Sequence, residues 1–147
     1  MIFFHFSNQR KFKHRLKIRL NHAHFLKENI TNRKLISHNQ MAIGKSLFLA
    51  ESDEPTFLEL FKEEMPEHMK NALYFEIEMW TTLRTSLDNF SKTNLSFEAY
   101  KKKTKALSDY IRLLIQVIEL QIEILYSPLS NHFRELLKEI MKKLQKQ

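Results

Sequence analysis

The chain contains no cysteine, a single glycine and three prolines among 147 residues. Without cysteine there are no disulfides, thiolate metal sites or thiol nucleophiles, and the default expectation is a cytoplasmic protein. Sheet architectures need many turn residues, so the scarcity of Gly and Pro excludes them and predicts an all-α fold. Long apolar runs are missing too. Ile2 to Phe6 is too short for a secretory h-region, and its cations follow it instead of preceding it. The most apolar segment, residues 107 to 126, is interrupted by Arg112, Gln116, Glu119, Gln121 and Glu123, which excludes a transmembrane span. A hydrophobic fraction of 43%, with 12% aromatics, is still enough for one packed core.

Charge is present but unevenly placed. The net +7 belongs to the first 40 residues, which carry nine basic side chains against Glu28 alone, or +8, leaving −1 for the remainder. Within that segment, "KFKHRLKIRL" (residues 11 to 20) alternates cations with Phe12, His14, Leu16, Ile18 and Leu20. Period two is a strand signal, yet a helical stripe of Phe12, Leu16 and Leu20 can also be drawn. The conflict predicts a basic arm over residues 1–40, disordered when free and ordering on an anionic partner. Met41-Ala42 also resembles a second translation start, which would make residues 1–40 an N-terminal extension outside the folded protein.

From residue 41 onward the periodicity predicts a helical domain, 41–147. Ser52 or Asp53 as N-cap, with Glu54 and Pro55 in the first turn, predicts a short helix over 54–65 carrying Phe57, Leu58, Phe61 and Met65. A second helix, 67–91, follows Pro66, with Met69, Leu73, Trp80, Leu83, Leu87 and Phe90 on one stripe. "SKTNLS" breaks the pattern and offers Asn94 or Ser96 as the next cap. The third helix, 97–126, carries two adjacent apolar stripes, one of them Leu107, Ile111, Leu114, Ile118 and Leu125, the other Tyr110, Leu113, Val117, Leu120 and Ile124. Ser127 and Pro128 start a last helix to about 145. Short links make these an up-down bundle of three main helices plus the short one.

No catalytic constellation emerges. A phosphate-binding loop needs G-x-x-x-x-G-K-[ST] after a strand, but Gly44-Lys45-Ser46 has Asn39 at the first glycine position and no strand before it. Glu64 and His68 are split by Pro66, His132 to Glu135 is a reversed ligand pair, and His22 and His24 supply too few donors; no metal or cofactor is expected. Glu76 interrupts the stripe between Leu73 and Trp80. The expected position is at the stripe's edge, reaching water, Lys70 or Arg84; buried, it would be a perturbed carboxylate. Glu119 and Glu123 stand one turn apart on the polar side of 97–126 and read as a solvated face.

The chain therefore reads as a non-enzymatic helical interaction protein, an oligomerising or adaptor subunit. The breadth of apolar surface on 107–126 exceeds what a small bundle easily covers, so it is expected to meet a second copy or a partner helix. The anchors would be Trp80, Tyr110, Ile111, Leu114, Val117 and Ile118. The alternative is a binder of nucleic acid or an anionic membrane surface through residues 10–34, led by Arg10, Lys11, Lys13, Arg15, Lys17 and Arg19.

Overall fold

A heptad-like spacing, with buried positions alternately four and three residues apart, is clear on the first two helices of a ring of four. In this computed structural model the backbone is described for residues 2–60, 67–126 and 131–146, with side chains for 10–53, 71–123, 136 and 138–146. Six α-helices occur among the described residues: α1 (Ile2–Asn29), α2 (Ile36–Leu60), α3 (Glu67–Lys92), α4 (Phe97–Lys105), α5 (Ser108–Tyr126) and α6 (Asn131–Gln145). The all-α bundle is thus as expected. α1 packs on α2 and α5, and α3 packs on the same two helices, so α1, α2, α3 and α5 close an up-down-up-down ring. α6 lies against α5 and α3.

Three expectations need correction. Over Arg10–Asn29 the supposed arm is the first helix of the ring. Its inward positions Phe12, Leu16, Arg19, Ala23, Leu26 and Ile30 are all buried. The main bundle accordingly has four helices instead of three, and Met41 falls inside α2, with core residues on either side of it.

The second correction concerns residues 52–55. Ser52 and Asp53 cap nothing, because α2 runs continuously through Pro55 to Leu60; residues 61–65 of the expected short helix lie outside the described residues. Ser52 Oγ donates to the Phe48 carbonyl as a helix-interior serine does, 2.8 Å away. Asp53 continues the buried row Asn39, Ile43, Ser46 and Ala50.

The third concerns 97–126, which is two helices. Thr104 Oγ1 donates back to the Tyr100 carbonyl (2.8 Å), and Leu107 N–H bonds to the Thr104 carbonyl (3.0 Å), one residue tighter than α-helical register. The tighter turn at Ala106 and Leu107 separates α4 from α5. Ser96 proves to be the cap of α4, accepting from Ala99 N–H at 3.1 Å.

The α1–α2 connection is closed by side chains. Asn39 donates from Nδ2 to the Asn29 carbonyl (3.0 Å), satisfying an end group of α1. A 3-10 turn, Arg33–Leu35, is capped by Asn32. Arg33 donates to the Leu95 carbonyl (2.6 Å) and lies over the Tyr100 ring, which docks α4 on this end of the bundle.

Candidate functional site

Each helix of the ring contributes one buried polar side chain to a shared layer, and α2 buries Asn39 and Ser46 as well. On α1 the buried spacing runs 12, 16, 19, 23, 26, 30, and position 19 is arginine. Asp53 holds the same kind of position on α2, Glu76 on α3 between Ala72 and Trp80, and Gln121 on α5 after Ile111, Leu114 and Ile118. All four are fully or almost fully buried, and they meet in one layer.

Arg19 is the centre of that layer. Its Nε and Nη2 donate to Glu76 Oε2 (2.5 Å) and Oε1 (3.1 Å), and its Nη1 donates to Asp53 Oδ2 (2.5 Å). Trp80 Nε1 adds a bond to Glu76 Oε2 (2.8 Å), and Gln121 Nε2 one to Oε1 (2.8 Å). Arg15, with 31% of its side chain exposed, brings Nε to 2.5 Å from Asp53 Oδ1 as an ion pair without hydrogen-bond geometry. Two cations thus face two carboxylates, and the layer is neutral.

The electrostatics follow from burial. Loss of water works to lower the Arg19 value, but Glu76 and then Asp53 outweigh it and hold the guanidinium above its ordinary value. Burial also pushes the Asp53 carboxyl up, against the pull of Arg19 and Arg15.

Glu76 is therefore not at an edge reaching Lys70 or Arg84. Each of its oxygens already accepts two hydrogen bonds, which fills the lone-pair sites of a carboxylate and leaves none for a reacting proton. The layer ties α1, α2 and α3 together through one guanidinium and joins α5 to them through Gln121.

The residues expected to anchor a partner lie inside the same core. Trp80, Ile111, Leu114, Val117 and Ile118 are 0% exposed, and Tyr110 is half-buried. The reason is α1: it covers the face of α5 that three helices would have left open. Burial pushes the Tyr110 hydroxyl up, opposed by its hydrogen bond to Thr82 and reinforced by nearby Glu78.

The expected anion-binding residues separate into two groups. Arg10, Lys11 and Lys17 are exposed and Lys13 is half-buried, whereas Arg15 and Arg19 turn to Asp53 and Glu76. The solvent side of α1 also carries His14, Asn21, His24 and Lys27, all exposed, and meets no carboxylate before Glu28. At 1.5 Å per residue these exposed side chains, Arg10 to Lys27, extend over about 26 Å of the helix. Alongside them, Ile18 and His22 of α1 with Gly44, Lys45, Phe48 and Leu49 of α2 line a shallow groove.

His22 fixes the groove's floor. Its Nδ1 lies 2.7 Å from Ser46 Oγ, and burial, with Lys45 nearby, holds the imidazole below its ordinary value. Gly44-Lys45-Ser46 is a helical turn of α2 and not a loop.

Glu119 and Glu123 are exposed and line a cleft with Glu139 and Lys143 of α6. Among the described residues no group of three or more His, Asp or Glu side chains is gathered to hold a metal ion. Glu64, and the side chains of His68 and His132, lie outside the described residues.

Sequence reasoning missed the role of α1 because Arg19 occupies the seam position where a leucine would have displayed the four-three spacing. A search for that spacing with one polar residue allowed would have found it. No known protein family, no curated protein and no solved structure matches the chain.

Proposed function

We propose that the protein is a non-enzymatic binding protein whose solvent face of α1 engages a nucleic acid through its phosphates. The observation that supports this most is that the exposed residues of α1 from Arg10 to Lys27 are the cations Arg10, Lys11, Lys17 and Lys27 with His14, Asn21 and His24 between them, and no carboxylate before Glu28. Lysine and arginine on one helix face displace condensed counterions from a phosphate backbone, and this release supplies most of the affinity in non-specific nucleic-acid binding.

Two alternatives are less well supported. A partner helix on 107–126 would have to part α5 from α1 and α3, with which it shares the core. Insertion into a membrane surface needs an amphipathic helix with a free apolar face, and α1 uses its apolar face in the bundle. Two further exposed cationic groups, Lys101, Lys102, Lys103 and Lys105 of α4 and Lys142, Lys143 and Lys146 at the end of α6, lie toward helix C-termini, where positive charge complements the helix dipole.

The test is a salt titration of oligonucleotide binding. Wild type is expected to lose affinity steeply between about 50 and 200 mM salt, with a slope that K11E/K17E flattens. The same double reversal on α4, K101E/K103E, is expected to leave the slope nearly unchanged. A slope that responds to α4 and ignores α1 contradicts the assignment.

A further inference from the structure

We infer that the groove between α1 and α2 beside the exposed cations of α1 receives an unpaired base, which makes the preferred ligand a single strand; the inference rests on the phosphate-binding reading above. Two independent features of α2 carry it. The first is Phe48, whose side chain is 69% exposed in the middle of a helix, with Met41 also exposed two turns earlier. An aromatic ring left in water next to Lys45 and one helix away from Lys11 and Lys17 provides what single-strand sites combine, a stacking surface bordered by cations.

The second is Gly44. It is the chain's one glycine, it sits in a helix interior, and glycine is the worst helix former after proline. Neither usual structural reason for it applies: its φ is not positive, and a Cβ built on it meets nothing within 4 Å. Nothing inside the fold calls for the missing side chain, whereas a partner approaching the groove one turn from Phe48 does.

Charge complementarity selects the occupant. Besides Ile18, Gly44, Phe48 and Leu49, the groove is lined by Lys45 and His22; the adjoining exposed residues of α1 are cations, histidines and Asn21, and one carboxylate, Glu51 of α2, is exposed a turn beyond Phe48. A second copy would bring two such sets of cations together. A duplex offers phosphates but keeps its bases stacked away from an external ring, whereas a single strand offers both groups at once.

The experiment measures anisotropy of a labelled twenty-nucleotide oligothymidine and of a duplex of equal length, with full-length wild type, F48L and K11E/K17E, alongside sedimentation of each protein. The expected result is tighter binding of the single strand by wild type and a loss of about tenfold for F48L on the single strand only. K11E/K17E is expected to weaken both ligands. Phe48 is exposed, so F48L should retain the wild-type melting temperature. Equal binding of both ligands, untouched by F48L, overturns the inference and leaves the phosphate-binding reading intact. Absence of binding to either overturns both. A dimer that dissociates on F48L overturns the inference in favour of a second copy, and binding confined to anionic phospholipid vesicles overturns it in favour of lipid.

Discussion

Replacing Arg19 by methionine removes the centre of the polar layer while keeping a long apolar stem in place. Three charge-assisted hydrogen bonds disappear at once, two to Glu76 and one to Asp53, in a region with no exposure to water. The carboxylates are not left bare. Glu76 keeps Trp80 and Gln121, and Asp53 keeps the partly exposed Arg15. That moderates the penalty to the range seen when one partner of a buried ion pair is deleted, about 3–5 kcal/mol. Against a total stability of about 5–15 kcal/mol this is a large fraction. For a chain of this size it corresponds to a fall in melting temperature of about 10 °C or more. Urea denaturation read by Trp80 fluorescence measures it. Removing both charges, Arg19→Met with Glu76→Leu, should cost less than the sum of the single changes, because neither leaves a buried ion unpaired. A loss under about 1 kcal/mol for Arg19→Met, or additive single and double variants, would refute a four-helix layer centred on this guanidinium.

Further outcomes follow from the same packing. A chain beginning at Met41 exposes the faces of α2 and α5 that α1 covers, so it should lose its cooperative thermal transition, bind an apolar dye, or aggregate; a sharp transition like that of the full chain would show α1 to be dispensable. Gly44→Ala should raise stability by up to about 1 kcal/mol, since the added methyl meets open space; a destabilised variant would place an unseen constraint there. His22, held below its ordinary value, favours folding above about pH 6.5, and that contribution is lost as pH falls from there through its lowered value, because the unfolded chain takes the proton first. His22→Gln should therefore narrow the stability difference between about pH 7.5 and pH 5; an unchanged difference would show that His22 plays no part in it.

The helix after Pro66 was legible because its seam is nearly all apolar: α3 begins and ends within a residue of its expected bounds, and Ser96 caps α4 as one of two candidates, while the expected start of the last helix at Ser127 and Pro128 lies outside the described residues. Legibility failed wherever a charged residue occupies a seam. Arg19 hid the stripe of α1, Asp53 passed for an N-cap, and Glu76 passed for a surface acid. These three residues belong to one layer, and each makes sense only beside the others, which no local period reveals. The break between α4 and α5 was hidden for a different reason, since Ala106 and Leu107 are acceptable helix residues and neither glycine nor proline marks the turn there. The candidate site was half legible. Residues 10–19 were read as one cationic group, but alternate residues of a helix do not share a face, and the packing of α1 turned Arg15 and Arg19 toward Asp53 and Glu76 while Arg10, Lys11 and Lys17 are exposed.

The most direct test is an amide chemical-shift map of the full chain titrated with a short oligothymidine. Binding at the α1–α2 groove predicts shifts concentrated at Lys11, His14, Lys17, Gly44, Lys45 and Phe48. Shifts confined to the α4 lysines, or to the α5–α6 cleft of Glu119 and Glu139, would contradict it.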